Sequence, residues 1–89
     1  MDLQEIIKAN YDSVVKRGLI NNQTTEREFI EKIKEEFDEL YEAFMLGRYY
    51  DKWEELSDVV LVCLNYFYHF GIDVESKLKI KIEKNNKRV

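Results

Sequence analysis

The chain contains no proline and only three glycines in 89 residues, so little in it interrupts a helix. Gly18, Gly47 and Gly71 separate segments in which apolar residues recur every three or four positions. A glycine just after the last periodic residue is typical of a helix C-terminus. The sequence therefore predicts an all-α fold with four helices, in a single domain that covers residues 1–89.

Capping signals indicate where these helices begin. Thr25 with Glu28, and Asp51 with Glu54, have capping-box spacing, and Asp73 is placed to cap the last helix. The predicted helices span residues 2–17, 25–46, 51–70 and 73–88. Residues 77–82 alternate between basic and apolar side chains like a strand. We favour a helix there because a lone strand would have no partner.

Four acidic residues lie at helical spacing in the second and third predicted helices. Glu36 and Glu39 are three residues apart, as are Glu55 and Asp58, so each pair shares a helix face. At about 100° per residue, Glu36 borders the apolar stripe of its helix and Glu55 points into its own stripe. Asp58 lies on a helix that is apolar on nearly every side. The stripe of the second helix contains Phe29, Ile33, Phe37, Leu40 and Phe44.

Buried carboxylates without a counter-cation are unstable, so these acids predict a bound metal ion. The alternative is an ordinary solvated surface, because 36% of the chain is charged. We expect surface positions for Glu31, Asp38 and Glu42, which lie on the far side of their helix. The position of the four acids relative to the apolar stripes favours the metal site.

Charge is unevenly distributed along the chain. Residues 26–58 contain twelve acids and five bases, whereas residues 77–88 contain six bases and one acid. The net charge of −4 argues against nucleic acid as a partner. A basic segment that faces an acidic one is typical of a metal-and-phosphate site, and equally of a simple intramolecular charge match.

The single cysteine, Cys63, has no partner for a disulfide within the chain, which is typical of the reducing cytoplasm. No apolar run reaches the roughly 18 residues of a membrane span, since Asn65 and His69 interrupt the longest one. The N-terminus has no signal-peptide pattern. We therefore expect a soluble cytoplasmic protein that does not bind membranes.

Three short motifs follow one another in the chain. They are EExxE, then ExxD after fifteen intervening residues, then KxxxNxxR, formed by Glu35, Glu36 and Glu39, by Glu55 and Asp58, and by Lys81, Asn85 and Arg88. In this order they resemble the motifs of the MazG-type nucleotide pyrophosphohydrolases. The resemblance covers about two thirds of the chain, residues 30–88. It implies an all-α, Mg²⁺-dependent enzyme that converts nucleoside triphosphates to monophosphates and pyrophosphate, as a homodimer or tetramer.

The resemblance also implies roles for these residues. Glu36, Glu39, Glu55 and Asp58 would be the ligands of Mg²⁺, or of Mn²⁺ as a substitute, with Glu35 as an auxiliary acid. Hard ions of this kind prefer oxygen ligands. Such ions neutralise the triphosphate and activate a water that attacks the α-phosphorus. The three residues of the KxxxNxxR motif share one helix face and would bind the phosphates, although a basic helix end also complements the helix dipole.

Three other classes of protein remain open. Phosphoribosyl-ATP pyrophosphohydrolases also carry EExxE, but their usual Tyr-His shortly after the aspartate is absent here. A di-iron carboxylate bundle needs Glu-x-x-His pairs, and His69 is the only histidine. A non-catalytic helical interaction module could retain the acidic motif. Binding of Mg²⁺ or Mn²⁺ would distinguish an enzyme from such a module.

The third helix also predicts self-association. Its apolar side chains between Val59 and Phe70 point in nearly every direction, and one chain of 89 residues has too few partners to cover them. We expect a two-fold homodimer in which a site combines groups from both chains. His69 is expected in a core or interface, and Asn65 in a polar contact across that interface. Tyr49, Tyr50 and Trp53 flank the acidic motif and could stack on a base, but we expect them mainly as packing residues.

Overall fold

The computed structural model describes residues 1–88 and contains four α-helices. They are α1 (Leu3–Lys16), α2 (Glu26–Met45), α3 (Tyr49–His69) and α4 (Val74–Asn86). No strand occurs among the described residues, and residues 77–82 lie within α4. The predicted all-α fold with four helices is confirmed. The end of the predicted domain, Val89, lies outside the described residues.

Side-chain caps start three of the helices where the sequence predicted. The Asp2 carboxylate accepts a hydrogen bond of 2.8 Å from the backbone N–H of Glu5 and starts α1. Thr25 and Glu28 form a complete capping box at the start of α2. Asp73 accepts two hydrogen bonds from backbone groups in the first turn of α4. These bonds satisfy N–H groups that otherwise have no partner at a helix start.

The predicted start of α3 at Asp51 is wrong. The helix begins at Tyr49, and Arg48 precedes it without a side-chain cap. Gly47 adopts a φ of 71°, and the N–H of Arg48 donates back to the carbonyl of Ala43 at 2.9 Å. This turn reverses the chain within the three residues that separate α2 from α3, so the next helix starts at once. Asp51 lies in the first turn of α3, where its negative charge suits the helix dipole.

The end of α4 also differs from the prediction. The helix ends at Asn86, so Arg88 lies beyond it rather than on its last turn. α4 contacts the rest of the fold near its start, where Val74 joins the core and Glu75 accepts a hydrogen bond of 3.0 Å from Gln4 of α1. The residues of its last turn are exposed, and a helix end without tertiary packing gains little stability.

α3 is the central helix of the fold. α1 and α2 both pack against it, but these two helices do not pack against each other. The small core joins α1, α3 and α4 through the buried side chains of Ile7, Leu64 and Val74. An open space therefore remains between α1 and α2 above α3, which is where the candidate site lies.

His69 of α3 forms hydrogen bonds with α1 and with the α1–α2 loop. Its Nε2 lies 3.1 Å from the carbonyl oxygen of Thr24, and its Nδ1 lies 2.7 Å from the hydroxyl of Tyr11. A carbonyl only accepts, so Nε2 carries the proton and Nδ1 accepts from the tyrosine. Phe29 is buried nearby and stacks on Tyr66 with ring centres 5.3 Å apart. His69 is thus a partly buried packing residue, in line with the core or interface position expected for it.

The chain exposes far more surface than a compact protein of its mass. Its accessible area is 7140 Å², against about 5,500 Å² expected for a monomer of this size. The radius of gyration is 14.8 Å, against about 12 Å expected. Phe37 and Phe44, which the sequence placed in the core stripe, are 53% and 55% exposed because only α3 covers this end of α2.

Aromatic residues near the start of α3 are exposed as well. Tyr50 is 94% exposed, and Tyr49 and Trp53 are both more than half exposed, so the packing expected for them does not occur within one chain. The Lys52 ammonium lies 4.6 Å from the ring centre of Trp53. None of the described helices is both long enough and apolar enough to cross a membrane.

Candidate metal centre and adjoining cavity

α2 and α3 bring three of the four predicted carboxylates together. One oxygen from each of Glu36, Glu39 and Glu55 lies within 4.8 Å of the other two. The short connection at Gly47 pairs α2 with α3 and thereby places these three side chains on facing surfaces. We call this group the carboxylate cluster. Its oxygens are close enough to share one cation.

The three members of the cluster differ in burial. Glu36 is only 9% exposed, whereas Glu39 is exposed to solvent. Glu55 is partly buried, and its Oε2 atom is sealed from solvent without a hydrogen-bond partner. A buried carboxylate oxygen without a partner loses its hydration and gains nothing in return. A cation at the cluster would supply the missing interaction.

Lys32 provides positive charge beside the cluster. Its ammonium lies 3.2 Å from Oε1 of Glu36 and 3.4 Å from Oε1 of Glu35. Burial of Lys32 lowers its pKa, but hydrogen bonds with Glu36 and Glu35 and their negative charges outweigh that effect and raise the pKa. Lys32 therefore stays charged. Glu35 is exposed and stands outside the cluster, next to this lysine.

Repulsion within the cluster appears most clearly at Glu39. The negative charge of Glu36 raises the pKa of Glu39 above its usual value, and desolvation, a hydrogen bond with Glu36 and the charges of Glu55 and Glu35 raise it further. A raised carboxyl pKa means that the neutral form is favoured where negative charges crowd together. A bound divalent cation would reverse this preference.

Asp58 lies next to the cluster rather than within it. Its side chain is exposed, although the apolar helix around it suggested burial. It lines the same cavity as Glu36. Asp58 thus opens onto the space between α1 and α2, two helices that do not pack against each other. Glu31, Asp38 and Glu42 are all exposed, as predicted.

The structure does not bring the basic motif to the acids within one chain. Lys81, Asn85 and Arg88 are exposed. α4 contacts α3 and does not contact α2, which carries two of the three cluster residues. The predicted phosphate-binding residues and the predicted metal ligands are therefore on separate parts of a single chain.

A cavity of about 470 Å³ opens beside the carboxylate cluster. It lies between α1 and α2 and is also lined by residues of α3 and of the α1–α2 loop. Its lining is partly aliphatic and partly charged, and includes Val14, Leu61, Val62, Arg17, Lys32, Glu36 and Asp58. The acidic side chains thus lie at an edge of a space large enough for a small ligand.

Two asparagines that the sequence did not indicate as site residues also line this cavity. Asn65 is only 4% exposed, and its Oδ1 accepts a hydrogen bond of 2.8 Å from Nδ2 of Asn10. The prediction that Asn65 makes its polar contact across a chain interface is therefore wrong, because its partner is in the same chain. A polar residue on an apolar helix was the available signal for Asn65. Nothing in the sequence singled out Asn10.

Comparison with models of protein families, with characterised proteins and with solved structures finds no match to this chain. The fold and the site define it as an all-α protein with a carboxylate cluster that borders a cavity. The MazG-type resemblance rests on the three sequence motifs alone.

Proposed function

We propose that this protein is a Mg²⁺-dependent nucleotide pyrophosphohydrolase of the MazG type. It would convert (d)NTP to (d)NMP and pyrophosphate by attack of water at the α-phosphorus. The observation that carries the proposal is the carboxylate cluster, in which three acids converge and Glu55 Oε2 is buried without a partner. Such an arrangement is unfavourable unless a cation completes it.

The donor set fits Mg²⁺ or Mn²⁺. All the donors in the cluster are carboxylate oxygens, with no cysteine or histidine among them, and hard divalent ions prefer such ligands. Glu36, Glu39 and Glu55 would hold the ion, with Asp58 next to them at the cavity edge. When bound, the ion supplies charge neutralisation of the triphosphate and an acidified water.

The protein's own residues position the substrate around that centre. The Lys32 ammonium forms a 3.2 Å ion pair with Glu36, the most buried acid of the cluster, and so holds positive charge at the site. Glu35 lies on the exposed side of Lys32, where it is placed to act as an auxiliary acid. The cavity takes the remainder of the nucleotide, because its lining includes both Glu36 and Asp58.

The functional unit in this proposal is a homodimer, or a tetramer built from dimers. The surface in excess of a compact monomer is on the order of 1,600 Å² per chain, which is enough for an obligate interface. Because α4 does not contact α2 of its own chain, the motif of Lys81, Asn85 and Arg88 is free to bind phosphates at the partner's acids. The proposed site thus combines two chains.

A non-catalytic helical interaction module is the second candidate, and phosphoribosyl-ATP hydrolysis remains a related alternative. The exposed aromatic side chains Phe37, Tyr41 and Phe44 favour the module, since exposed apolar patches are typical of binding surfaces. A module of this kind needs no divalent ion. Titration with Mn²⁺ therefore separates it from the enzyme.

Nucleotide hydrolysis by variants of the proposed metal-binding residues tests the proposed function. A panel of NTPs and dNTPs is incubated with Mg²⁺, and turnover is compared with the variants Glu36→Gln, Glu39→Gln, Glu55→Gln and Asp58→Asn. Each should lower turnover by orders of magnitude and leave the helical fold intact. Glu42→Gln, an exposed acid of the same helix, is the matched control. Near-normal turnover in any two ligand variants would reject the ligand set.

A further inference from the structure

The cavity contains a fixed pair of amide side chains whose orientation the structure determines. Asn10 Nδ2 donates to Asn65 Oδ1 at 2.8 Å and to the backbone carbonyl of Leu61 at 3.3 Å. A carbonyl oxygen only accepts, so the Asn10 side chain must turn its nitrogen towards α3. This in turn requires Asn65 to present its oxygen to Asn10.

Two polar atoms of this pair remain free. Asn10 Oδ1 and Asn65 Nδ2 make no hydrogen bond within the described chain, and neither belongs to the atoms sealed from solvent. Both residues line the cavity. They therefore offer one free acceptor, on Asn10, and one free donor, on Asn65, to the same cavity. Asn65 itself is only 4% exposed. A buried amide with an open donor needs a complementary ligand or water.

We infer that this cavity is a nucleobase pocket, in which the free acceptor of Asn10 and the free donor of Asn65 recognise the Watson–Crick edge of the base. Every nucleobase carries both a donor and an acceptor on that edge, and an amide oxygen and an amide nitrogen are complementary to them. The aliphatic side chains Val14, Leu61 and Val62 provide apolar walls for the planar ring. This inference rests on the proposed function for the position of the phosphates.

The direction of the nucleotide follows from the cavity's two polar regions. Glu36 and Asp58 line the cavity as well, and Glu36 belongs to the carboxylate cluster. Asn65 lies on α3 seven residues after Asp58, or two helical turns, about 10 Å along the helix. That separation matches the span from a base edge to the α-phosphate region of a nucleotide. The base thus lies at the asparagines, and the phosphates lie at the acids.

Binding of reaction products without metal tests this pocket independently of catalysis. The full chain is titrated calorimetrically with dUMP, dCMP, dAMP and dGMP, and with ribose 5-phosphate as a probe that lacks a base. The best monophosphate should bind at least about tenfold more tightly than ribose 5-phosphate. Asn65→Leu should remove most of that advantage, because a site built to hydrogen-bond a ligand discriminates strongly when its partner is lost. Asn22→Leu, at an exposed loop position, is the control.

A second variant keeps the test decisive if Asn65→Leu does not fold. Asn65→Asp retains the oxygen that accepts from Asn10 but replaces the free donor with an acceptor, so the base preference should change or disappear. Equal binding of monophosphates and ribose 5-phosphate would overturn the pocket. So would a base preference that survives in the folded variants.

The outcomes for the pocket and for the proposed enzyme are separable. If triphosphates are hydrolysed with Mg²⁺ while both Asn65 variants keep the wild-type base preference, the pocket is wrong and the enzyme stands. If base-dependent binding is lost in Asn65→Leu but the wild-type protein hydrolyses no triphosphate, the pocket stands and the enzyme is wrong.

Discussion

The Lys32 ammonium lies 3.2 Å from Oε1 of Glu36, one helical turn away on α2. The most buried carboxylate of the cluster therefore already has a counter-cation, whereas Glu39 and Glu55 form no salt bridge in the part of the chain that the structure describes. The uncompensated charge of the cluster is thus concentrated on two of its three acids. A divalent ion would neutralise the charge of Glu39 and Glu55, which Lys32 does not compensate.

Removing the lysine should make the protein depend more strongly on metal. In Lys32→Met the buried Glu36 loses its partner, so the melting temperature of the metal-free protein should fall by a few degrees. Saturating Mn²⁺ should recover more stability in this variant than in the wild type. Lys34→Met is the matched control, because it removes an equivalent but exposed pair with Asp38. Thermal unfolding with and without Mn²⁺ measures both effects. An equal metal-induced shift in variant and wild type would contradict this role.

Metal affinity should rise with pH through the titration of Glu39. The negative charge of Glu36 is the main cause that raises the pKa of Glu39. An ordinary glutamate loses its proton near pH 4, so at Glu39 the proton still competes with the cation at pH values above about 4. The stability of the metal-free fold should change with pH in the opposite direction. Protonated Glu39 stabilises the metal-free fold at low pH, and this contribution is lost as pH rises through the raised pKa. Titrations with Mn²⁺ at several pH values test this. The Glu39→Gln variant should lose the pH-dependent component, and Glu42→Gln should retain it.

Neutralising Glu55 should stabilise the metal-free protein. Its Oε2 is buried without a partner, and replacement by glutamine keeps the shape while removing the charge. Glu55→Gln should therefore melt at a higher temperature than the wild type in EDTA, and should gain less from added Mn²⁺. Glu54→Gln, an exposed neighbour, serves as control. A lower melting temperature for Glu55→Gln in EDTA would show that the buried oxygen is not a source of instability.

The sequence was sufficient to predict the local structure. Helix periodicity, capping residues and three glycines define four helices, and their signals are local. The start of α3 was missed because a tight turn at Gly47 starts that helix without any cap. The burial of Glu36 and the inward direction of Glu55 were also predictable, because both follow from helical angles alone.

Features that depend on how helices pack could not be predicted in this way. Phe37 and Phe44 belong to an apolar stripe, but the periodicity does not reveal that α1 fails to reach them. The partner of Asn65 was unpredictable for the same reason, since Asn10 lies 55 residues away in the chain. Periodicity identifies a face of a helix, and only the tertiary structure shows what covers it.

Mixed dimers should show whether the two halves of the site come from different chains. Asp58→Asn and Arg88→Ala should each be inactive alone, and verified mixed dimers should recover part of the activity, because one of their sites would contain both intact groups. Light scattering at micromolar concentration establishes the assembly first. A fully active monomer would refute the dimer. Inactive mixed dimers would confine each site to one chain and leave the dimer in place.

The most direct test of the proposed reaction is to hydrolyse a nucleoside triphosphate with Mg²⁺ in ¹⁸O-labelled water and to follow the products by phosphorus NMR. Attack of water at the α-phosphorus places the label in the monophosphate, with an equal amount of unlabelled pyrophosphate, and EDTA should abolish the reaction. Label in pyrophosphate, or release of orthophosphate and diphosphate, would contradict the mechanism.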